Sequence, residues 1–224
     1  MASGWRPGSR VERLRASHSY RAVLVLIVVT YVVIVSTPGT AVVRGALVAI
    51  ESLTLGVALW TSGFGWRRAA VFLAAPVVIV AIVEILVGGT SAQGVDSLLG
   101  VVLVAVTMVV IAMGVFDQGE VNGQSVTGAI CIYLFLGILF SYVYGAEAAI
   151  GSGRFFAQGT DGTPATRIYF SYVTLTTTGY GDYTPAAQPG RSFAIMEELL
   201  GQLYLVTVVA LLVGRFGQRR RDTT

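Results

Sequence analysis

The sequence predicts an all-α membrane protein with six transmembrane helices and one re-entrant half-helix between the last two. Three observations carry this. Of the 224 residues, 54% are hydrophobic and only 12% charged, about half the charged share, roughly 25%, of a soluble domain; the mean hydropathy is +0.74. Apolar runs of the length a helix needs to cross a hydrocarbon core, about 20 residues, recur along the chain. Arginines gather at alternate ends of those runs, and all fifteen basic residues are arginine.

Taken in order, the chain opens with a basic lead, residues 1–19, holding Arg6, Arg10, Arg13, Arg15 and a solvated His18. The first apolar run covers 20–36 and ends in the turn Thr37-Pro38-Gly39. Its basic lead and short apolar core also fit a cleaved signal peptide; a retained helix is the expectation. The second run covers 41–61, the third 69–87 and the fourth 95–116. The fifth covers 126–145 and the sixth 192–214. Lipid offers no partner for a free peptide group, so each run is expected to be helical.

Arg6 to Arg21 before the first run, Arg67 and Arg68 after the second and Arg215 to Arg221 after the sixth fall on one side of a six-helix topology. The positive-inside rule makes that side the cytoplasm. Trp60 and Trp66 beside Arg67 and Arg68 fit an interfacial aromatic anchor, and 88–94 carries no basic residue, as expected outside. The expected organisation is a cytoplasmic lead 1–19, a four-helix membrane domain 20–120, a two-helix domain with the half-helix 121–215 and a cytoplasmic tail 216–224. In that tail Arg219, Arg220 and Arg221 are expected at anionic lipid headgroups. A multi-pass cell-membrane protein with both termini cytoplasmic is the result. No cytosolic gating domain, internal repeat or low-complexity tract is expected.

The net charge of +3, concentrated at the ends, gives no reason to expect nucleic acid as a partner. Cys131 has no second cysteine to pair with and reads as a small apolar residue. No nucleophile, base or metal constellation is present, so neither an enzyme nor a bound cofactor is expected.

Between the fifth and sixth runs lies residues 166–176, apolar on one face and too short to cross. Such a segment is tolerated at membrane depth only where protein buries it or it lines a watery cavity. The negative end of its dipole points at the loop after it, which favours a cation there. The end of the segment and that loop read Thr174-Leu175-Thr176-Thr177-Thr178-Gly179-Tyr180-Gly181-Asp182. Gly179 and Gly181 are the residues best able to adopt the backbone angles that aim successive carbonyls one way.

The stretch YFSYVTLTTTGYGDYTP resembles the pore region of the potassium channel superfamily, small prokaryotic members in particular. The resemblance implies that the carbonyls of Thr177, Thr178, Gly179 and Tyr180 coordinate K+ in a selectivity filter. It also implies that the Thr177 hydroxyl adds the innermost ligand and that Gly181 and Asp182 close the outer end. Four chains must then meet in a homotetramer. Thr174, Tyr169, Asp182 and Glu197 are the expected supports of the filter. Thr178 stands where the family most often has valine or isoleucine, and its hydroxyl is expected to loosen packing behind the filter. Val173 stands where some members place a glutamate that bonds the outer aspartate, and Tyr169 where others place a tryptophan doing so. A Tyr169–Asp182 hydrogen bond is the expected replacement.

In the sixth run Gly201 lies eleven residues after Gly190, the family's usual spacing for a gating hinge; close packing is the competing reason for a glycine there. The run Glu197-Glu198-Leu199-Leu200-Gly201-Gln202-Leu203-Tyr204 resembles small bacterial channels with an E-x-x-x-GQLY pattern, and Glu197 is expected either to bond behind the half-helix or to stand near a watery cavity. The fourth run contains no arginine or lysine, whereas voltage sensing draws about 2.3 kcal/mol per charge per 100 mV from several. Glu51 and Glu84 are intramembrane acids without such partners, their role open between a bonded acid and a proton-sensitive group. Asp161, Glu147 and Asp182 are candidates to enrich cations at the outer mouth, opposed by Arg154 and Arg167. The expectation is a passive K+-selective channel that is not directly voltage-gated, with K+ as the permeant species and membrane lipids as partners. The alternatives are a weakly selective cation channel, a non-conducting membrane subunit and a transporter.

Overall fold

A computed structural model describes residues 19–37, 40–61, 89–116 and 123–221. The expected third run, 69–87, with Glu84, lies outside the described residues, as do Trp66, Arg67, Arg68 and the lead before residue 19. The described chain is helical: α1 Ser19–Ser36, α2 Ala41–Thr61, α3 Gly89–Phe116, α4 Gly123–Ile150, α5 Pro164–Leu175 and α6 Gly190–Arg221.

Among the described residues, three helices contain a stretch long and apolar enough to cross a membrane, over Val42–Thr61, Gln93–Val115 and Gly123–Ile150; the apolar run of α1, Tyr20–Ser36, is shorter. The helices of the later runs outlast the apolar windows that marked them. α3 begins at Gly89 instead of 95, α4 covers Gly123–Ile150 instead of 126–145 and α6 runs to Arg221 instead of 214. Hydropathy marks the part of a helix that suits lipid, while backbone hydrogen bonding carries the helix on through polar flanks.

Local chemistry sets the helix starts. Thr40 caps α2: its hydroxyl accepts from the Val43 N–H at 3.4 Å and its carbonyl from the Arg44 N–H at 3.0 Å. Inside the helices, hydroxyls are satisfied by the preceding turn, as in Thr54 to the Ile50 carbonyl at 2.7 Å and Thr107 to the Leu103 carbonyl at 2.7 Å.

Helices α1 and α3 pack on α4, and α2 packs against α1 and α3, around a core that includes Val23, Ile27, Leu55, Val104, Ile111, Cys131 and Ile138. Small residues let the helices approach. A methyl at Gly137 on α4 would lie 2.5 Å from the ring of Tyr172 on α5, so that ring fits only against a glycine. The surfaces facing away are apolar too, with Val28 and Val32 of α1, Val102 and Val109 of α3 and Leu199, Leu203 and Val206 of α6 all exposed. Helices apolar on all sides suit lipid or another chain, not water.

A second, aromatic cluster of Phe140, Tyr144, Phe155, Phe156 and Phe170 lies behind α5. Its rings meet edge to face or tilted, Phe155 and Phe156 at 4.7 Å and Tyr144 and Phe170 at 5.1 Å. The loop before α5 is strapped to the loop after it. The Ala157 N–H donates to the Thr184 carbonyl and the Ala186 N–H to the Phe155 carbonyl, each at 2.8 Å.

Candidate functional site

The site begins with how α5 starts. Thr163 is its N-cap and Pro164 its first residue, two residues ahead of the expected start at 166; the Thr163 hydroxyl accepts from the Thr166 N–H at 3.1 Å. A threonine cap followed by proline is a helix-start signal legible in the sequence. The helix stops at Leu175.

Past Leu175 the backbone departs from the usual strand pattern. Thr177, Gly179 and Gly181, every second residue, have φ of 56°, 54° and 78°, while Thr178 and Tyr180 between them do not have positive φ. Left-handed conformations taken at alternate positions turn successive carbonyls toward one side, where a regular strand would alternate them. For Thr177 this is strained, since a β-branched residue rarely takes a positive φ. The amides account for the geometry: the N–H groups of Thr176, Thr177, Thr178 and Gly179 turn back to the carbonyls of Tyr172, Thr174 and Val173, over 2.9–3.3 Å. Thr174 thus contributes through its backbone. With the donors turned inward, the carbonyl edge is left for a ligand, and residues 176–181 are exposed in the single chain.

Side chains then fix this loop from several directions. The hydroxyls of Thr176 and Thr178 lie 2.9 Å apart, and Thr176 donates to the Tyr172 carbonyl at 2.7 Å. The Thr178 hydroxyl thus has a partner next to it; behind it a cavity of about 430 Å³ opens between α1 and α5, lined by Ile27, Tyr31 and Tyr172 among others. Gln202 of α6 donates to the Thr177 hydroxyl at 3.3 Å. At the outer end the Tyr169 hydroxyl donates to Asp182 Oδ2 at 2.9 Å, and the Tyr169 ring stacks on Tyr180 at 6.5 Å. From the loop before α5, Gln158 Nε2 donates to the Asp182 carbonyl at 2.7 Å. Asp182 is therefore gripped by side chain and by backbone.

Glu197 lies fully buried behind α5. Tyr144 donates to its Oε2, and Ser171 of α5 is in hydrogen-bond contact with its Oε1 while donating to the Gly137 carbonyl at 2.6 Å. This cluster ties α4, α5 and α6 together. Gly201 meets the end of α5 directly, since a methyl there would lie 2.5 Å from the Leu175 carbonyl oxygen and 2.8 Å from its side chain. Close approach thus accounts for this glycine, and α6 runs unbroken past it.

Glu51 is not part of this site. It is 3% exposed in α2 and accepts from Tyr142 of α4, while its Oε2 has no partner among the described residues. Asp161 is committed elsewhere, to Arg154 and to the Phe155 N–H at 3.0 Å. This pairing is the opposition expected from Arg154, and it weakens the pull of Asp161 on cations. Gln158, Gln202, Ser171 and Tyr144 were not expected here. Ordinary polar residues far from the motif give no periodic or spacing signal; only the GQLY stretch hints at Gln202.

Residues 128–218, from early α4 through most of α6, match the ion channel family. A stretch of 56 residues, 23% of this chain, is 39% identical to "Probable potassium channel protein 2" of Methanocaldococcus jannaschii and covers 16% of that protein's length. No solved structure matches. The part of the chain similar to ion channels thus spans the half-helix and its flanking helices, and the described residues include apolar helices of membrane-crossing length.

Proposed function

We propose that the chain is one subunit of a homotetrameric, passive K+ channel in the cell membrane, with six spans and both termini in the cytoplasm. The observation that carries this is the alternation of positive φ at Thr177, Gly179 and Gly181 with the intervening amides turned onto α5. Four such loops around one axis would present rings of carbonyls in place of a hydration shell, the chemistry of a K+ filter. K+ is the permeant ion, held by the carbonyls of Thr177, Thr178, Gly179 and Tyr180 with the Thr177 hydroxyl below. Tyr169, Thr174, Asp182 and Glu197 hold the filter in shape. No cofactor and no enzymatic step is invoked.

Opening is not driven by charges on the fourth span, because α3 contains neither arginine nor lysine. Intramembrane arginines are what a voltage-driven helix moves. The apolar outer faces of α1, α3 and α6 suit lipid and neighbouring subunits.

The test is flux from liposomes containing the purified protein. K+ moves down its gradient without proton coupling, Na+ moves far less, and Ba2+ blocks. Equal K+ and Na+ flux would leave a weakly selective cation channel, the outcome that the extra hydroxyl of Thr178 would produce by loosening the filter wall. Strict coupling to protons, or no flux at all, would overturn the channel reading.

A further inference from the structure

We infer that Glu198 of one subunit binds the paired hydroxyls of Thr176 and Thr178 on the next, so that the wall of the filter loop is completed only between two copies of the chain. The inference rests on the tetrameric channel reading and adds to it a contact between named side chains. Both halves of the contact stand open in the single chain. One is Glu198, a carboxylate on the exposed face of α6, with Ile195, Leu199 and Leu203 exposed around it. No hydrogen bond or ion pair among the described residues involves it. In a helix that crosses a membrane, a charge set in an apolar surface is costly until it is paired. Arg191, at the start of the same helix, is committed to the carbonyls of Pro185 and Ala186, at 3.2 and 3.0 Å.

The other half is the hydroxyl pair, 2.9 Å apart. Thr176 and Thr178 open onto the cavity of about 430 Å³, whose lining among the described residues comes from α1, α4, α5 and the loop itself, with none from α6. The half-helix meets its own α6 on a different flank, through Ser171 with Glu197 and Leu175 with Gly201. The chain's own α6 thus leaves the hydroxyls uncovered. In a closed ring of subunits, where two different patches of each chain meet in turn, the neighbour's α6 takes that flank.

Level and chemistry select Glu198 as the group that arrives there. Gln202 reaches Thr177 of its own chain at 3.3 Å, which marks the level of α6 at the inner end of the loop. Glu198 lies four residues earlier, on the same face of the helix and about 6 Å nearer the outer end. One extended residue advances about 3.3 Å, so Glu198 stands level with Thr178 and Gly179, and rotation about the ring axis keeps that level in every subunit. The protons balance as well. The Tyr172 carbonyl already accepts the Thr176 N–H at 3.0 Å, so the Thr176 hydroxyl can turn from that carbonyl to the Thr178 oxygen. Thr178 then donates its own proton to the carboxylate, a charge-assisted bond of the stronger kind. The hydroxyl that would loosen the wall becomes a brace on it.

The experiment reads assembly and needs no conduction. The purified full chain, with Cys131→Ala removing its one cysteine, carries Thr178→Cys, Glu198→Cys or both and meets a short thiol-to-thiol cross-linker in detergent. The double variant gives a ladder of up to four chains on a denaturing gel that neither single variant gives. The second measurement is the tetramer-to-monomer ratio at a fixed SDS fraction. Thr178→Val, which keeps the shape of the side chain, strands the carboxylate and lowers the ratio roughly tenfold or more, as loss of a hydrogen bond to a charged group does. Adding Glu198→Ala removes the stranded charge and restores part of that loss, which a purely local role of Thr178 would not allow. A wild-type tetramer in which the cysteine pair gives no ladder beyond the singles, or in which Glu198→Ala leaves the Thr178→Val loss unchanged, overturns this contact and leaves the channel reading standing. A wild-type chain with the mass of one subunit overturns both.

Discussion

Replacing Gly201 by alanine separates the two reasons a glycine can stand in mid-helix. If the position exists to let α6 bend, alanine should stabilise the helix by about 1 kcal/mol, the difference in intrinsic propensity. The structure makes the opposite demand. The new methyl would lie 2.5 Å from the Leu175 carbonyl oxygen, short of ordinary contact by about 0.9 Å, and the obstacle is backbone that no side-chain rotation removes. Overpacking of this kind costs roughly 1–3 kcal/mol, which outweighs the propensity gain or at least cancels it. Gly45 of α2 supplies the control, since a methyl there meets nothing within 4 Å among the described residues. The measurement is the midpoint of unfolding of purified protein in mixed micelles titrated with SDS. Gly45→Ala shifts the midpoint up, Gly201→Ala shifts it down relative to Gly45→Ala, and Leu175→Ala does not rescue Gly201→Ala because the carbonyl oxygen stays. Because Leu175 directly precedes Thr176, the displaced contact also reaches the filter loop, and K+ flux falls in the same variant. Equal stabilisation by both alanines, with altered opening as the only effect at Gly201, would refute the packing argument.

Three further predictions concern the loop's supports. Tyr169→Phe removes the hydroxyl on Asp182 and shortens the time for which K+ current is sustained, without lowering the yield of folded protein; unchanged current decay in single-channel recordings would show the brace to be idle. Gln158→Ala frees the Asp182 carbonyl and acts in the same direction, and combining it with Tyr169→Phe costs less than the sum of the two, because both hold one residue. Ser171→Ala strips a partner from fully buried Glu197 and lowers stability by about 1–3 kcal/mol in the SDS titration; adding Glu197→Gln to it gives a different loss from the sum if the groups act as one cluster, and simple additivity would break that link.

The glycine-rich loop after α5 stood out in the sequence because its residue types do rare work. The resemblance to the potassium channel pore region, and not spacing, pointed to a carbonyl-lined loop and to the Tyr169–Asp182 hydrogen bond, and the structure contains that bond. The apolar runs were legible for a similar reason, since lipid suits one kind of surface. Their ends were not, because hydrogen bonding continues past the apolar window into residues such as Gly89 and Thr90. Gln158 stayed hidden because its partner is 24 positions away and is a carbonyl, which every residue has. Arg44 and Asp96 stayed hidden as well: 52 residues separate them, and pairing charges across helices needs the fold first. Gly201 was legible as a glycine needing a reason, but only the position of Leu175 says which reason.

One contact bears on how the front helices are joined to the loop that carries the carbonyls. Tyr31 of α1 sets its ring edge-on against Tyr172 of α5, 5.8 Å away at 75°, and Tyr172 in turn anchors its hydroxyl on the Leu134 carbonyl at 2.8 Å while its carbonyl receives Thr176. A tilt of α1 is therefore delivered as a sideways push on the half-helix, through two rings and within a single chain. The lever arm is short and bypasses α6 altogether. In the proposed channel, the Tyr31–Tyr172 ring pair would give α1 a direct mechanical hold on the half-helix that precedes the carbonyl loop.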